Sequence, residues 1–105
     1  WIQNKFNDLG LEASTQEFTV NSNSTNNILG VQLGTTTPDN WYVVGAHMDS
    51  IPSFGAAPGA VDNASGCAGV LEIARITSNY RFARTIIFIC YSGEEQGLIC
   101  SKCHV

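Results

Sequence analysis

Thr85-Ile86-Ile87-Phe88-Ile89-Cys90-Tyr91 is apolar at nearly every position and rich in β-branched and aromatic side chains. A run of that length and content reads as a strand buried on both faces, the kind found inside parallel sheets. Trp41-Tyr42-Val43-Val44-Gly45-Ala46 has the same character, so a second central strand is expected there. Between the two runs, Asn63 or Ser65 caps a helix expected to reach about Asn79. Its apolar stripe is Cys67, Val70, Leu71, Ala74 and Ile76. Strand, helix and strand in this order form a parallel crossover.

Outward from that unit the pattern changes. Thr15–Val20 alternates polar and apolar residues, and Asn27–Leu33 follows after a polar stretch at 21–27 that reads as a hairpin loop. Two strands joined so closely pair antiparallel. Trp1–Leu9 reads as the end of a helix with Trp1, Ile2, Phe6 and Leu9 on one face and Gly10 as its stop. Residues 51–59 form a Pro/Gly/Ala-rich loop, Ser92–Glu95 a turn, and a last helix is expected near Gln96. The expected fold is α/β: one domain over residues 1–105, with a mixed sheet whose central parallel strands are flanked by helices.

The bulk composition narrows the function. Of 105 residues 44% are hydrophobic and only 13% charged, which suits a globular chain. The net charge is -4 and the five Lys and Arg form no cluster, which argues against nucleic acid as a partner. No apolar run approaches the roughly 20 residues that span a bilayer. The chain opens at Trp1 without an initiator methionine or a signal peptide, as expected of a processed chain or a segment of a longer one.

Four of the nine acidic residues, Asp49, Asp62, Glu94 and Glu95, lie with His47 in three short segments at strand ends and turns. In parallel sheets ligands bind outside the carboxyl ends of the strands, where His47 and the Glu94-Glu95 pair are expected. Hard oxygen donors and one imidazole in an acidic cleft suit divalent metal ions and hydrolysis. Asp49 follows His47 by one residue in an extended segment, so both side chains share a face and the carboxylate can orient the ring. Glu94 and Glu95 diverge, so one can ligate metal while the other acts as general base toward a water.

Three segments, Val43-Val44-Gly45-Ala46-His47-Met48-Asp49-Ser50, Pro58-Gly59-Ala60-Val61-Asp62-Asn63-Ala64-Ser65-Gly66 and Tyr91-Ser92-Gly93-Glu94-Glu95-Gln96-Gly97-Leu98, resemble in order the motifs of M28 zinc metallopeptidases. The resemblance runs from about Ile2 to Lys102 and is nearest to the secreted leucine-type aminopeptidases of bacteria and fungi. It implies a zinc-exopeptidase-like fold, secretion to an extracellular or periplasmic setting, and two zinc ions. His47 would ligate one zinc, Asp62 would bridge both, and Glu95 would ligate the second. Glu94 would be the general base, Asp49 would hold His47, and the Asp62–Asn63 peptide would be cis. The implied reaction removes an N-terminal residue from a peptide substrate.

The resemblance also implies two more ligands, an Asp and a His, downstream of the segment that matches. The chain is therefore expected to be a truncated N-terminal portion with an incomplete site and an apolar sheet edge open to self-association. The segment Cys100-Ser101-Lys102-Cys103-His104 departs from the family pattern. Cys-x-x-Cys-His is the attachment pattern for c-type haem, with Cys100 and Cys103 bonded and His104 as axial ligand. A disulfide or free-thiol pair at a helix start is a second reading of those cysteines, and a truncated or frameshifted end is a third. Cys67 and Cys90, inside apolar runs, read as buried free thiols. Two alternatives to the peptidase thus stand beside it: an electron-transfer haem protein on a peptidase scaffold, and an inactive structural or assembly unit.

Overall fold

The computed structural model describes residues 1–52, 54–56 and 58–102, and at Cys100 the backbone alone. The elements are α1 (Ile2–Asp8), β1 (Glu12–Val20), β2 (Asn23–Gln32), β3 (Thr37–His47), α2 (Ser65–Thr77), β4 (Arg84–Tyr91) and α3 (Ile99–Lys102). Cys103 and His104, two members of the expected haem motif, lie outside the described residues. The side chain of Cys100, the third, is not described either.

The four strands form one mixed sheet in the order β1-β2-β4-β3. β1–β2 and β2–β4 are antiparallel, while β3–β4 is parallel with His47 opposite Tyr91. The parallel crossover and the α/β class expected from the two apolar runs are therefore present. One expectation fails: β3 is an edge strand rather than a central one. Trp41, Tyr42 and Val43 are 63%, 56% and 49% exposed. An apolar run reports that both faces can be buried, but among the described residues β3 has a neighbouring strand on one side.

The core forms where α1 and α2 pack on one face of the sheet. Phe6, Leu11, Cys67, Val70, Ala74, Phe88 and Cys90 make a single buried cluster, with the Phe6 and Phe88 ring centroids 6.3 Å apart. Each fully buried aromatic contributes roughly 1.5–3 kcal/mol relative to an exposed one. Phe6 lies against Gly30 of β2, where an added Cβ would sit 2.6 Å from the ring's Cγ. Glycine at that position lets the helix approach the sheet.

Two apolar assignments are corrected. Ile76 is 49% exposed. It lies nine residues beyond Cys67, about 180° round the helix at about 100° per residue, so it faces away from the sheet. Trp1, the residue before α1, is 78% exposed, while Phe6 is the buried residue of that helix. Gly10 does end the helix, with φ +75 and its amide donating to the Asn7 carbonyl at 2.9 Å.

The polar stretch 21–27 is mostly strand, not loop. Val20 pairs with Asn23, leaving a two-residue turn of Asn21 and Ser22 with φ of 47 and 68. Positive φ at both central residues is the hairpin turn whose twist matches the flanking strands. The last helix starts at Ile99 rather than near Gln96, because Gly97 and Leu98 take φ of 105 and 60. Their amides both donate to the Glu94 carbonyl, at 2.9 and 2.8 Å, closing a turn first.

Candidate metal centre

Parallel pairing delivers the ends of β3 and β4 to the same place. His47 is the last residue of β3, opposite Tyr91 at the end of β4, and the Met48 amide donates to the Tyr91 carbonyl at 2.7 Å. Glu94 and Glu95 follow β4 by one turn. Asp62 comes from the irregular turn Ala60–Ala64 ahead of α2, and the Asp62–Asn63 peptide is cis. The Asn63 side-chain oxygen accepts the Gly66 amide at 2.9 Å, so Asn63 caps α2 while Ser65 donates to the Val61 carbonyl at 2.8 Å.

All five residues expected at the site converge. His47 Nε2 lies 3.0 Å from Asp62 Oδ1 and 3.8 Å from Glu94 Oε2. His47, Glu94 and Glu95 each offer a ligand atom within 4.8 Å of the other two. Asp62 stands beside that trio, contacting it through His47. On the other side of the ring, Nδ1 donates to the Asp49 carbonyl at 3.2 Å and lies 3.5 Å from Asp49 Oδ1. Asp49 thereby turns the Nε2 lone pair toward Asp62 and Glu94. Asp49 Oδ2 also accepts the Glu95 amide at 3.1 Å, so one residue holds the histidine through its carbonyl and the turn after β4 through its carboxylate.

The electrostatics follow from this crowding. Burial acts to lower the His47 pKa, but the hydrogen bond to the Asp49 carbonyl and the charges of Glu94, Asp49 and Asp62 outweigh it and hold it above the usual 6.5. Several carboxylates grouped around one imidazole are the environment a cation would stabilise. Asp49 Oδ1 is buried and takes no hydrogen bond among the described residues, leaving the imidazole as its facing partner. The donor set is hard oxygen plus one imidazole nitrogen, and it fits zinc.

Beneath the site the Cys67 thiol donates to the His47 carbonyl at 3.2 Å, tying α2 to the end of β3. Cys67 and Cys90 are free and buried, as expected. The neighbouring Cys67 thiol and burial together push Cys90 well up, so it stays a neutral thiol. The sequence reading missed Asn27, which is fully buried and reaches the turn that carries both glutamates. Its place in a run of Asn, Ser and Thr concealed it.

Comparison with known proteins places the chain among zinc metallopeptidases and aminopeptidases. A probable zinc metalloprotease of Pyrenophora tritici-repentis is 47% identical over a match covering 69% of this chain and 18% of that protein. A probable aminopeptidase of Saccharomyces cerevisiae is 44% identical, with 63% of this chain and 20% of that protein covered. Among solved structures, LapB from Legionella pneumophila superposes with a TM-score of 0.80 at 33% identity, covering 96% of this chain and 29% of that one. BSAP, a zinc aminopeptidase from Bacillus subtilis, gives a TM-score of 0.70 at 34% identity, covering 80% and 20%. The chain thus spans about a fifth of the length of the curated relatives it matches. The family model for peptidase family M28 matches residues 27–105, from β2 through both glutamates. On that match, and on a fold and a donor set that agree with it, the chain belongs to peptidase family M28.

Proposed function

We propose that this chain supplies the near half of a two-zinc aminopeptidase site acting on the N-terminal residue of a peptide. The observation that carries the reading is the convergence of His47, Asp62, Glu94 and Glu95 at the carboxyl ends of β3 and β4. His47 and Asp62 would hold one ion, and Asp62 and Glu95 the other. Tetrahedral zinc takes four donors, so water or residues outside this set complete each shell. When bound, the metal supplies polarisation of a carbonyl and a water acidified into the neutral range.

The residues divide the remaining work. Glu94 is one-third exposed and its carboxylate faces the same space as His47 Nε2. It can take a proton from water and return it to the departing amine, which is general base and then general acid work. Asp49 keeps the imidazole in the tautomer whose Nε2 carries the lone pair. Asp62, 77% exposed in its side chain, is reachable by an incoming ion.

Zinc titration of the chain by calorimetry tests the reading, with Asp62→Ala alongside. The parent is expected to bind zinc and the variant to bind it at least about tenfold more weakly, as loss of a ligand requires. Equal affinity in the two proteins would remove Asp62 from the bridging role.

A further inference from the structure

Asn27 is one of two buried polar residues among the described residues, at 0% exposure. It sits in β2 opposite Gln16 of β1, and its Nδ2 donates to Gln16 Oε1 at 3.1 Å. On the other side its Oδ1 accepts the Ser92 amide at 3.1 Å. The paired register between β2 and β4 ends at Ile28 and Cys90. Beyond it, where β4 leaves the sheet, the Asn27 side chain binds the first amide of the departing turn. Two residues further along β2, Thr25 and Ser92 share a hydroxyl–hydroxyl bond of 2.8 Å.

That turn is Ser92–Glu95, and it carries Glu94 and Glu95. From the β3 side the Asp49 carboxylate holds the Glu95 amide at 3.1 Å. From the β2 side Asn27 holds the Ser92 amide. Gly93 between them takes φ +82, a conformation that a residue with a side chain adopts only under strain. Asn27 is not itself one of the five site residues. We propose that Asn27 is a positioning residue: it anchors the β4 exit turn from the far side of the sheet and so sets where the two glutamates stand relative to His47. This rests on the zinc-site reading above for its functional meaning, but not for its structural test.

Thr85 provides the control. It is the other buried polar residue, 2% exposed, and lies at the opposite end of β4, where its hydroxyl donates to the Pro38 carbonyl at 2.8 Å and accepts the Gly34 amide at 3.0 Å. Thr85→Val should lower stability by a similar amount through the same physics, a buried group left without its partner. It should not move the glutamates.

The experiment compares the parent, Asn27→Ala and Thr85→Val by amide hydrogen exchange in the metal-free chain and by zinc titration. In Asn27→Ala the Ser92 amide, and with it the Glu95 amide that Asp49 holds, are expected to exchange at least about tenfold faster after correction for global stability, the change that losing one buried hydrogen bond gives. Zinc affinity should fall by about tenfold, as for loss of a residue that orients a ligand. Thr85→Val should leave both readouts unchanged after the same correction. If Asn27→Ala does not fold, Asn27→Ser, whose hydroxyl is too short to reach Ser92 and can take water instead, carries the same expectations. Turn amides that stay as protected as in the parent overturn the proposal. A parent that binds no zinc overturns the zinc-site reading instead, and the exchange data still decide the role of Asn27.

Discussion

Replacing Asp49 with alanine is the most informative single change to the site, because one carboxylate performs two separable tasks. Its Oδ2 accepts the Glu95 amide at 3.1 Å, and its Oδ1 faces His47 Nδ1 at 3.5 Å. The first is a hydrogen bond to a charged acceptor at a side chain that is only 16% exposed, worth about 1.5–3 kcal/mol. The second is longer than a good hydrogen bond and contributes mainly orientation. Removing an outer-shell partner of a metal-ligating histidine typically costs about 10–100-fold in affinity. That range is about 1.4–2.8 kcal/mol at about 1.4 kcal/mol per decade. Zinc affinity of Asp49→Ala, measured by calorimetry at neutral pH, is expected to fall by that factor. Asp49→Asn keeps one oxygen and should lie between parent and alanine, because its NH2 would face the Nδ1–H if its oxygen keeps the Glu95 amide. Zinc affinity in Asp49→Ala within about twofold of the parent would refute the orienting role, since that loss is well below the outer-shell range.

Three further outcomes follow from the geometry. In the metal-free chain His47 should titrate above 6.5, because the Asp49 carbonyl and the charges of Glu94, Asp49 and Asp62 outweigh its burial. Its contribution to stability is then present below 6.5 and lost as pH rises through the raised value, and zinc affinity should weaken as pH falls through that same value; an NMR titration and pH-dependent calorimetry check both. Gly30→Ala places a Cβ 2.6 Å from Phe6 Cγ, near the root of a fully buried ring, and should destabilise by about 1–3 kcal/mol in urea unfolding. The exposed β3 edge should make the chain associate as concentration rises, and Val43→Lys should reduce the effect in sedimentation velocity, since lysine on an edge strand disfavours pairing.

The residue pattern carried the crossover and the site further than it carried the edges. Two apolar runs joined by a striped helix leave little choice but parallel strands, and parallel strands put their carboxyl ends side by side. His47, Asp49, Asp62, Glu94 and Glu95 were therefore legible as one cluster before any coordinates. The position of β3 was not, because side-chain apolarity registers a capacity for burial and not the number of neighbouring strands. The hairpin itself is present as expected, but the length of its turn is missed for a different reason. Asn23–Asn26 are poor strand formers, yet their partners Glu17–Val20 and a two-residue turn set the register over local preference. Asn27 shows the limit most clearly: period-two patterns flag which face is apolar, and a single buried amide serving as an anchor looks the same as its exposed neighbours.

The register between β3 and β4 has one more consequence. His47 stands opposite Tyr91, and the glutamates stand three and four residues beyond it. A slip of two residues is the smallest that keeps each side chain on its own face, and it would carry His47 about 6.6 Å along the strand. Its ring nitrogen would then be out of reach of both glutamates. An ion held jointly by the two strand ends would thus discriminate between alignments of the sheet, favouring one and leaving the next without a binding place. On that view a bound metal ion, besides its chemistry, would also latch the alignment of the strands.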